Sequence, residues 1–130
     1  MDAFDADVLI YAAAGHPLGR RVRAQLEAGE GGTGSVLLVP ELLAKPLREG
    51  GDDEVAALAA LLARLDLRPV DRATADMAAV LAATYRLRAA DATHLATAVV
   101  AGADRFVTNN RRDFLTTITE VDVVYPDPSS

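Results

Sequence analysis

The sequence contains no cysteine, which excludes a disulfide framework, a thiolate metal site and a thiol nucleophile. It also lacks an apolar run of about 18 residues free of charge and glycine, so no membrane-spanning helix is predicted. The first residues, Met1–Asp5, include acids and no basic residue, unlike the start of a secretory signal peptide. From these absences we expect an intracellular protein located in the cytoplasm.

Lysine is almost absent, and the balance of charge is acidic. Of the 13 basic residues only Lys45 is a lysine, and the formal net charge is −6. Affinity for phosphates needs clustered cations, so this chain is not expected to bind nucleic acids broadly and without specificity. The acidity does not exclude a nuclease, because metal ions held by carboxylates can supply the missing positive charge.

The rest of the composition is that of an ordinary globular protein, with 51% hydrophobic and 25% charged residues. The chain is long enough to bury one core and is expected to form a single domain over residues 1–130. Apolar runs predict strands at residues 3–5, 36–39, 67–70, 105–108 and 121–125, with helical patterns between them. This alternation predicts an α/β fold, a three-layer α/β/α sandwich around a central, mostly parallel sheet of about five strands.

Acidic residues follow several of these strands. Asp5 ends the first strand, and Glu41 lies in the first turn of the helix after the second. Asp113 comes after the fourth strand, three residues beyond Asn110. Asp91 lies near the start of the alanine-rich helix that leads into the fourth strand. Because parallel sheets bind ligands outside the carboxyl ends of their strands, we expect these acids to converge on one crevice.

A cluster of carboxylates needs a positive partner. Like charges a few ångströms apart repel unless a proton or a cation lies among them, and these segments offer no basic side chain that could neutralise the whole set. Hard divalent cations with oxygen ligands, Mg²⁺ or Mn²⁺, are the natural solution. Ions held in this way support the hydrolysis of phosphodiesters, and the sequence leaves their number open.

Four segments resemble the motifs of PIN-domain proteins, in order and across nearly the whole chain. Phe4–Tyr11 is similar to the opening pattern D-x-(N/S/D)-V-L-I-Y, and Val39–Leu42 to the second motif, a glutamate that opens a helix. Asp91–Ala98 resembles the third motif, and Phe106–Phe114 the fourth. In its small size the chain is similar to the VapC-type branch, the toxin ribonucleases of type II toxin–antitoxin systems.

The resemblance implies a Mg²⁺-dependent (or Mn²⁺-dependent) endoribonuclease that cleaves RNA with metal-activated water. Asp5 and Asp91 match the usual metal ligands, and Glu41 and Asp113 match the acids that complete the catalytic site. Asn110 departs from the family pattern, in which aspartate often stands there, and its neutral amide is expected to weaken binding of a second metal. The resemblance also implies a small antitoxin protein as partner and a homodimer.

Other polar residues allow a structural as well as a functional interpretation. Asp7 is predicted to be the N-cap of the first helix rather than a metal ligand. His94 lies three residues after Asp91, on about the same helix face, and a structural role is favoured over a catalytic one. Arg111 and Arg112 follow the fourth strand and are predicted to bind the substrate phosphate, with a solvated turn as the alternative.

Three other functional interpretations stay open. Phe4–Val8 also resembles the first motif of haloacid-dehalogenase-like phosphatases, and the alternation of elements is similar to that of phosphoacceptor receiver domains. Both classes need a lysine late in the chain, whereas Lys45 lies early. The third interpretation is a PIN fold that has lost catalysis and only binds, and Asn110 is the reason to consider it.

Overall fold

The computed structural model describes residues 1–128, which fold around a central sheet. Within these residues the strands are β1 (Asp2–Phe4), β2 (Thr33–Ser35), β3 (Asp66–Arg68), β4 (Arg105–Val107) and β5 (Asp122–Val124). The helices are α1 (Ala6–Ala14), α2 (Arg20–Glu27), α3 (Leu38–Glu49), α4 (Asp52–Leu62), α5 (Arg72–Tyr85) and α6 (Ala89–Val100), with a short 3₁₀ helix at Pro17–Gly19. The strands follow the order β3-β2-β1-β4-β5, and each neighbouring pair is parallel.

Helices cover both faces of the sheet. Successive side chains of a strand point to opposite faces, so each face carries apolar side chains on which helices pack. Phe4 and Val107 pack with apolar residues of α1, α2, α3 and α4 in one cluster of the core. Phe106 and Val123 pack with apolar residues of α5 and α6 in the other. The predicted three-layer α/β/α sandwich with a five-stranded parallel sheet is therefore confirmed for residues 1–128.

The second strand is Thr33–Ser35, so the prediction of a strand at residues 36–39 is wrong. The small residues of β2 fit between β1 and β3, and the Thr33 hydroxyl donates a hydrogen bond to the first carbonyl of β3 at 2.9 Å. A continuous apolar run suits a buried helix as well as a buried strand. Here Leu38 and Leu42, four residues apart, turn one face of α3 into the core.

Other differences concern the boundaries of elements. The helical pattern between the first two strands includes the 3₁₀ helix, which continues directly as α2. β3 lies at the edge of the sheet, where the proline that follows it, Pro69, is tolerated. None of the helices in residues 1–128 has both the length and the apolar character needed to cross a membrane.

The order of the strands reverses between β1 and β4. On one side of β1 the sheet continues through β2 to β3, and on the other side through β4 to β5. Parallel sheets bind ligands in the crevice that such a reversal opens at the carboxyl ends of the strands. Asp5 directly follows β1, and Thr108 directly follows β4, so both lie at this crevice.

Candidate active site

Asp5 is fixed at the carboxyl end of β1 by groups on both sides. It is the N-cap of α1, and its Oδ1 accepts a hydrogen bond from the Ala6 N–H at 2.9 Å. The prediction that Asp7 is the N-cap is therefore wrong. Its Oδ2 accepts a hydrogen bond from the Thr108 hydroxyl at 2.8 Å, and both residues are buried. This bond joins the ends of β1 and β4 at the point where the strand order reverses.

Asp7 lies in the first turn of α1 and carries a carboxylate that is only half satisfied. Its Oδ2 accepts a hydrogen bond from the Asn109 N–H at 3.0 Å, whereas its buried Oδ1 has no partner within the described part of the chain. Burial and then the charge of Asp5 raise the pKa of Asp7 to about 6, against the effect of the N–H groups of Asn109 and Val8. A cation nearby would stabilise the charged form of such a group.

Asp91 lies in the first turn of α6, where the helix dipole favours an acidic side chain. Burial raises its pKa, and the charges of Asp5, Asp113 and Glu41 raise it further, whereas a charged His94 would act in the opposite direction. The other three predicted acids therefore lie within electrostatic reach of Asp91.

Asn110 and Asp113 are joined by two hydrogen bonds. Asn110 Nδ2 donates to Asp113 Oδ2 at 3.0 Å, and the Asp113 N–H donates to Asn110 Oδ1 at 3.2 Å. The Asn110 N–H in turn donates to the Thr108 hydroxyl oxygen at 3.0 Å. Because the amide oxygen of Asn110 is already bonded, this side chain is better placed to orient Asp113 than to ligate a cation.

Glu41 lies in the first turn of α3, as predicted, and its carboxylate meets a histidine from α6. His94 Nε2 lies 2.6 Å from Glu41 Oε1. The side chain of His94 is 1% exposed and that of Glu41 is 38% exposed. Sequence reasoning placed His94 one turn beyond Asp91 and missed this contact. No local pattern signals it, because the partners are 53 positions apart.

The donor set suits a hard divalent cation with an incomplete protein shell. Among residues 1–128, no group of three or more His, Cys, Asp or Glu side chains is arranged to hold a metal ion. Mg²⁺ usually keeps several waters and binds through one or two carboxylates, so an open set of oxygens fits it. Asp7 Oδ1 is buried without a partner in residues 1–128, and burial with the neighbouring negative charges raises the pKa of Asp91, so a cation here would stabilise the charged form of both groups. The ligand roles of Asp5 and Asp91 stay predictions.

The two arginines predicted to bind substrate differ in their surroundings. The Arg111 guanidinium stacks over the Tyr125 ring, 4.6 Å from its centroid, and Nη2 donates to the Pro126 carbonyl at 3.3 Å. Both arginines are exposed. Arg111 is held against the segment after β5 by these two contacts.

Two solved structures share this fold along nearly the whole chain. One is a toxin–antitoxin complex from Klebsiella pneumoniae, with 21% identity, a TM-score of 0.75 and coverage of 98% of each chain. The other is VapBC2 from Rickettsia felis bound to a DNA fragment from their promoter, with 17% identity, a TM-score of 0.77 and coverage of 97% of this chain and 98% of that chain. At these identities the likeness is one of fold.

The sequence itself places the chain in a family. No curated protein matches it at a significant level of similarity. Residues 3–118, which include every predicted acid of the site, match the family model of the PIN domain. The chain therefore belongs to the PIN domain family.

Proposed function

We propose that this protein is a metal-dependent endoribonuclease that acts as the toxin of a toxin–antitoxin pair. The observation that carries the proposal is the electrostatic coupling of the acids near the reversal of the sheet, where burial and then the charges of Asp5, Asp113 and Glu41 raise the pKa of Asp91. Membership of the PIN domain family supports nuclease chemistry. The toxin role is supported by the fold it shares with a structure described as a toxin–antitoxin complex.

The acids divide the work between binding and orientation. Asp5 and Asp91 hold Mg²⁺ or Mn²⁺, and the Thr108 hydroxyl keeps the Asp5 carboxylate in place. When bound, the ion supplies activation of water and neutralisation of charge on the phosphodiester. Glu41 and Asp113 accept hydrogen bonds from water at the site and orient it. Hydrolysis by water leaves a 5′-phosphate and a 3′-hydroxyl on the RNA.

Arg112 and Arg111 contact the RNA phosphates beside the acids. Guanidinium groups match phosphate oxygens in a bidentate manner. The net charge of −6 gives the rest of the surface no general attraction for RNA, so binding depends on these local cations and on the metal. RNA affinity should therefore fall sharply when divalent cations are removed.

The proposed protein partner is a small antitoxin, and the proposed assembly is a homodimer in the cytoplasm. The acidic character of the chain suits a basic segment of a partner, because complementary charge favours association. An antitoxin that covers the acids would stop cleavage. Purified partner should then inhibit the nuclease in a stoichiometric manner.

A PIN-fold protein that only binds is the second candidate. Two observations favour it: no group of three or more His, Cys, Asp or Glu side chains in residues 1–128 is arranged to hold a metal ion, and Asn110 is neutral. A phosphatase or phosphoacceptor role has less support, because Lys45 lies in α3 and not late in the chain.

The test is cleavage of end-labelled total RNA by the purified protein with Mg²⁺ or Mn²⁺, with and without a chelator. Asp5→Asn and Asp91→Asn should abolish cleavage. Asp76→Asn makes the same change of charge in an exposed ion pair with Arg72 and should cleave like the parent protein. Cleavage that survives both site variants, or products that end in a cyclic 2′,3′-phosphate, would contradict the proposal.

A protein that does not cleave is resolved by calorimetry with Mn²⁺. If the parent protein binds Mn²⁺ and Asp91→Asn does not, the proposed metal site stands. The RNA target would then have been missing from the preparation. Absence of binding in the parent protein would favour the binding-only function.

A further inference from the structure

His94 is a buried polar residue with a partner on one side only. Its Nε2 contacts Glu41 Oε1 at 2.6 Å, and its Nδ1 is buried without a partner in residues 1–128. Buried polar atoms are nearly always hydrogen-bonded, so an imidazole satisfied on one side needs a reason to be there. The contact with Glu41 is the only side-chain hydrogen bond that the described residues offer it.

The surroundings of the two ring nitrogens select one tautomer. A carboxylate accepts hydrogen bonds, so Nε2 must carry the hydrogen that lies between His94 and Glu41. A second hydrogen on Nδ1 would leave a buried N–H without an acceptor, which is more costly than an empty lone pair. The geometry therefore favours a neutral imidazole that donates from Nε2.

One helix thereby controls two of the acids. α6 contacts β1, β2 and β4, and it carries Asp91 and His94 one turn apart. Asp91 is placed by α6 itself. Glu41 has a long side chain that is 38% exposed and would otherwise sample several rotamers in solvent. The hydrogen bond from the buried ring limits that freedom.

We propose that His94 is a positioning residue that holds the Glu41 carboxylate at the acid cluster through its Nε2–H. The part of this inference that concerns catalysis rests on the proposed nuclease function. The hydrogen bond and the tautomer do not, and they can be measured in the protein without metal or RNA.

The first test is ¹⁵N NMR of the histidine rings in metal-free protein. The chain has two histidines, and exposed His16, whose Nδ1 accepts the Leu18 N–H, is an internal reference. We expect His94 to be the neutral Nε2–H tautomer, and Glu41→Ala to shift its resonances while those of His16 stay in place. A proton on Nδ1, or His94 resonances that do not respond to Glu41→Ala, would overturn the inference.

The second test is functional and uses His94→Leu and His94→Gln, with Thr97→Val as the matched control. Thr97 is also buried in α6, and its hydroxyl donates to the Thr93 carbonyl rather than to Glu41. Loss of a hydrogen bond to a site carboxylate should lower kcat or Mn²⁺ affinity on the order of 10-fold to 100-fold in His94→Leu. His94→Gln keeps an N–H donor and should recover part of the loss, and KM for RNA should change little.

The double variant separates positioning from a purely structural role. In the Glu41→Ala background, His94→Leu should cause no further loss, because the carboxylate that it positions is gone. Losses that add independently in the double variant would overturn the inference. If the parent protein cleaves no RNA, kcat cannot be compared, and the NMR data with the Mn²⁺ affinities still decide the role of His94.

Discussion

Asn110 and Asp113 hold each other through two hydrogen bonds, from Asn110 Nδ2 to Asp113 Oδ2 at 3.0 Å and from the Asp113 N–H to Asn110 Oδ1 at 3.2 Å. Asn110 stands where many PIN-domain sequences are expected to carry an acid. Asn110 orients the Asp113 side chain, since a neutral amide can donate a hydrogen bond to the neighbouring carboxylate and an ionised aspartate cannot. The fourth motif therefore keeps one charged group, Asp113, in a fixed orientation.

Two substitutions of Asn110 should have different signatures. Asn110→Ala removes both bonds and should lower the free energy of unfolding by about 1–2 kcal/mol. Asn110→Asp places a second negative charge beside Asp113, so it should lower the Tm of metal-free protein and increase the rise in Tm on addition of Mn²⁺. Asn109→Ala is the control, because Asn109 serves Asp7 through its backbone N–H alone. An Asn110→Asp protein whose Mn²⁺-induced shift equals that of the parent would refute this account.

The metal-free protein should lose stability as the pH rises through the pKa of Asp7. The ordinary pKa of this group is 3.8, and burial with the charge of Asp5 raises it to about 6 in the folded protein. A raised carboxyl pKa contributes stability that is complete below pH 3.8 and is lost as the pH rises through 6. The loss should be about 2 kcal/mol after allowance for solvent screening of a partly exposed group. The raised pKa of Asp91 acts in the same direction.

Urea unfolding of parent and Asp7→Asn protein between pH 4 and pH 7, in a chelating buffer, measures this effect. In Asp7→Asn the buried amide N–H lowers the free energy of unfolding by the same amount at every pH. The informative quantity is therefore how the difference in free energy of unfolding between the variant and the parent protein changes with pH. That difference should move in favour of Asp7→Asn by about 2 kcal/mol from pH 4 to pH 7. If the free energies of unfolding of the two proteins changed with pH in parallel, the pKa of Asp7 would not be raised in the folded protein.

The parts of the site that follow local rules could be predicted from the sequence. Strand and helix alternation predicted the layers of the fold. The rule on carboxyl ends predicted that Asp5 and Asp91 approach one crevice, and the contribution of the Asp5 charge to the raised pKa of Asp91, after that of burial, supports this prediction. Local rules failed where two local solutions compete. Asp5 and Asp7 are both acceptable N-caps, and the chain uses Asp5, whose extended backbone ends β1. The His94–Glu41 contact joins the side chains of two helices whose apolar residues belong to different core clusters, and it has no local signal.

Arg86 ends α5 in the left-handed region, with φ of 58°, and it is the one non-glycine residue with a positive φ in residues 1–128. Glycine adopts this conformation without the clash of a Cβ atom. Arg86→Gly should therefore raise the free energy of unfolding by about 0.5–1 kcal/mol, measured by urea unfolding. Arg86→Ala removes the same charge and keeps the strain, so it should bring no gain. Equal stabilisation by both substitutions would assign the effect to charge.

Gly19 lies where the end of the 3₁₀ helix touches the backbone of α1. A Cβ at this position would fall 2.1 Å from the Ala12 nitrogen and 2.3 Å from the Tyr11 carbonyl carbon, so the backbone of one helix must move. Gly19→Ala should destabilise the protein by about 3 kcal/mol, the upper end for overpacking, because no flexible side chain can give way.

Gly29→Ala is the matched control for Gly19→Ala. Gly29 has φ of +79° and no atom within 4 Å of a Cβ, so only backbone strain of about 1–2 kcal/mol applies. Thermal and urea unfolding compare the two variants. Similar losses in both would mean that α1 and the 3₁₀ helix can separate easily, and then Asp5 and Asp7, at the start of α1, would not be rigidly placed.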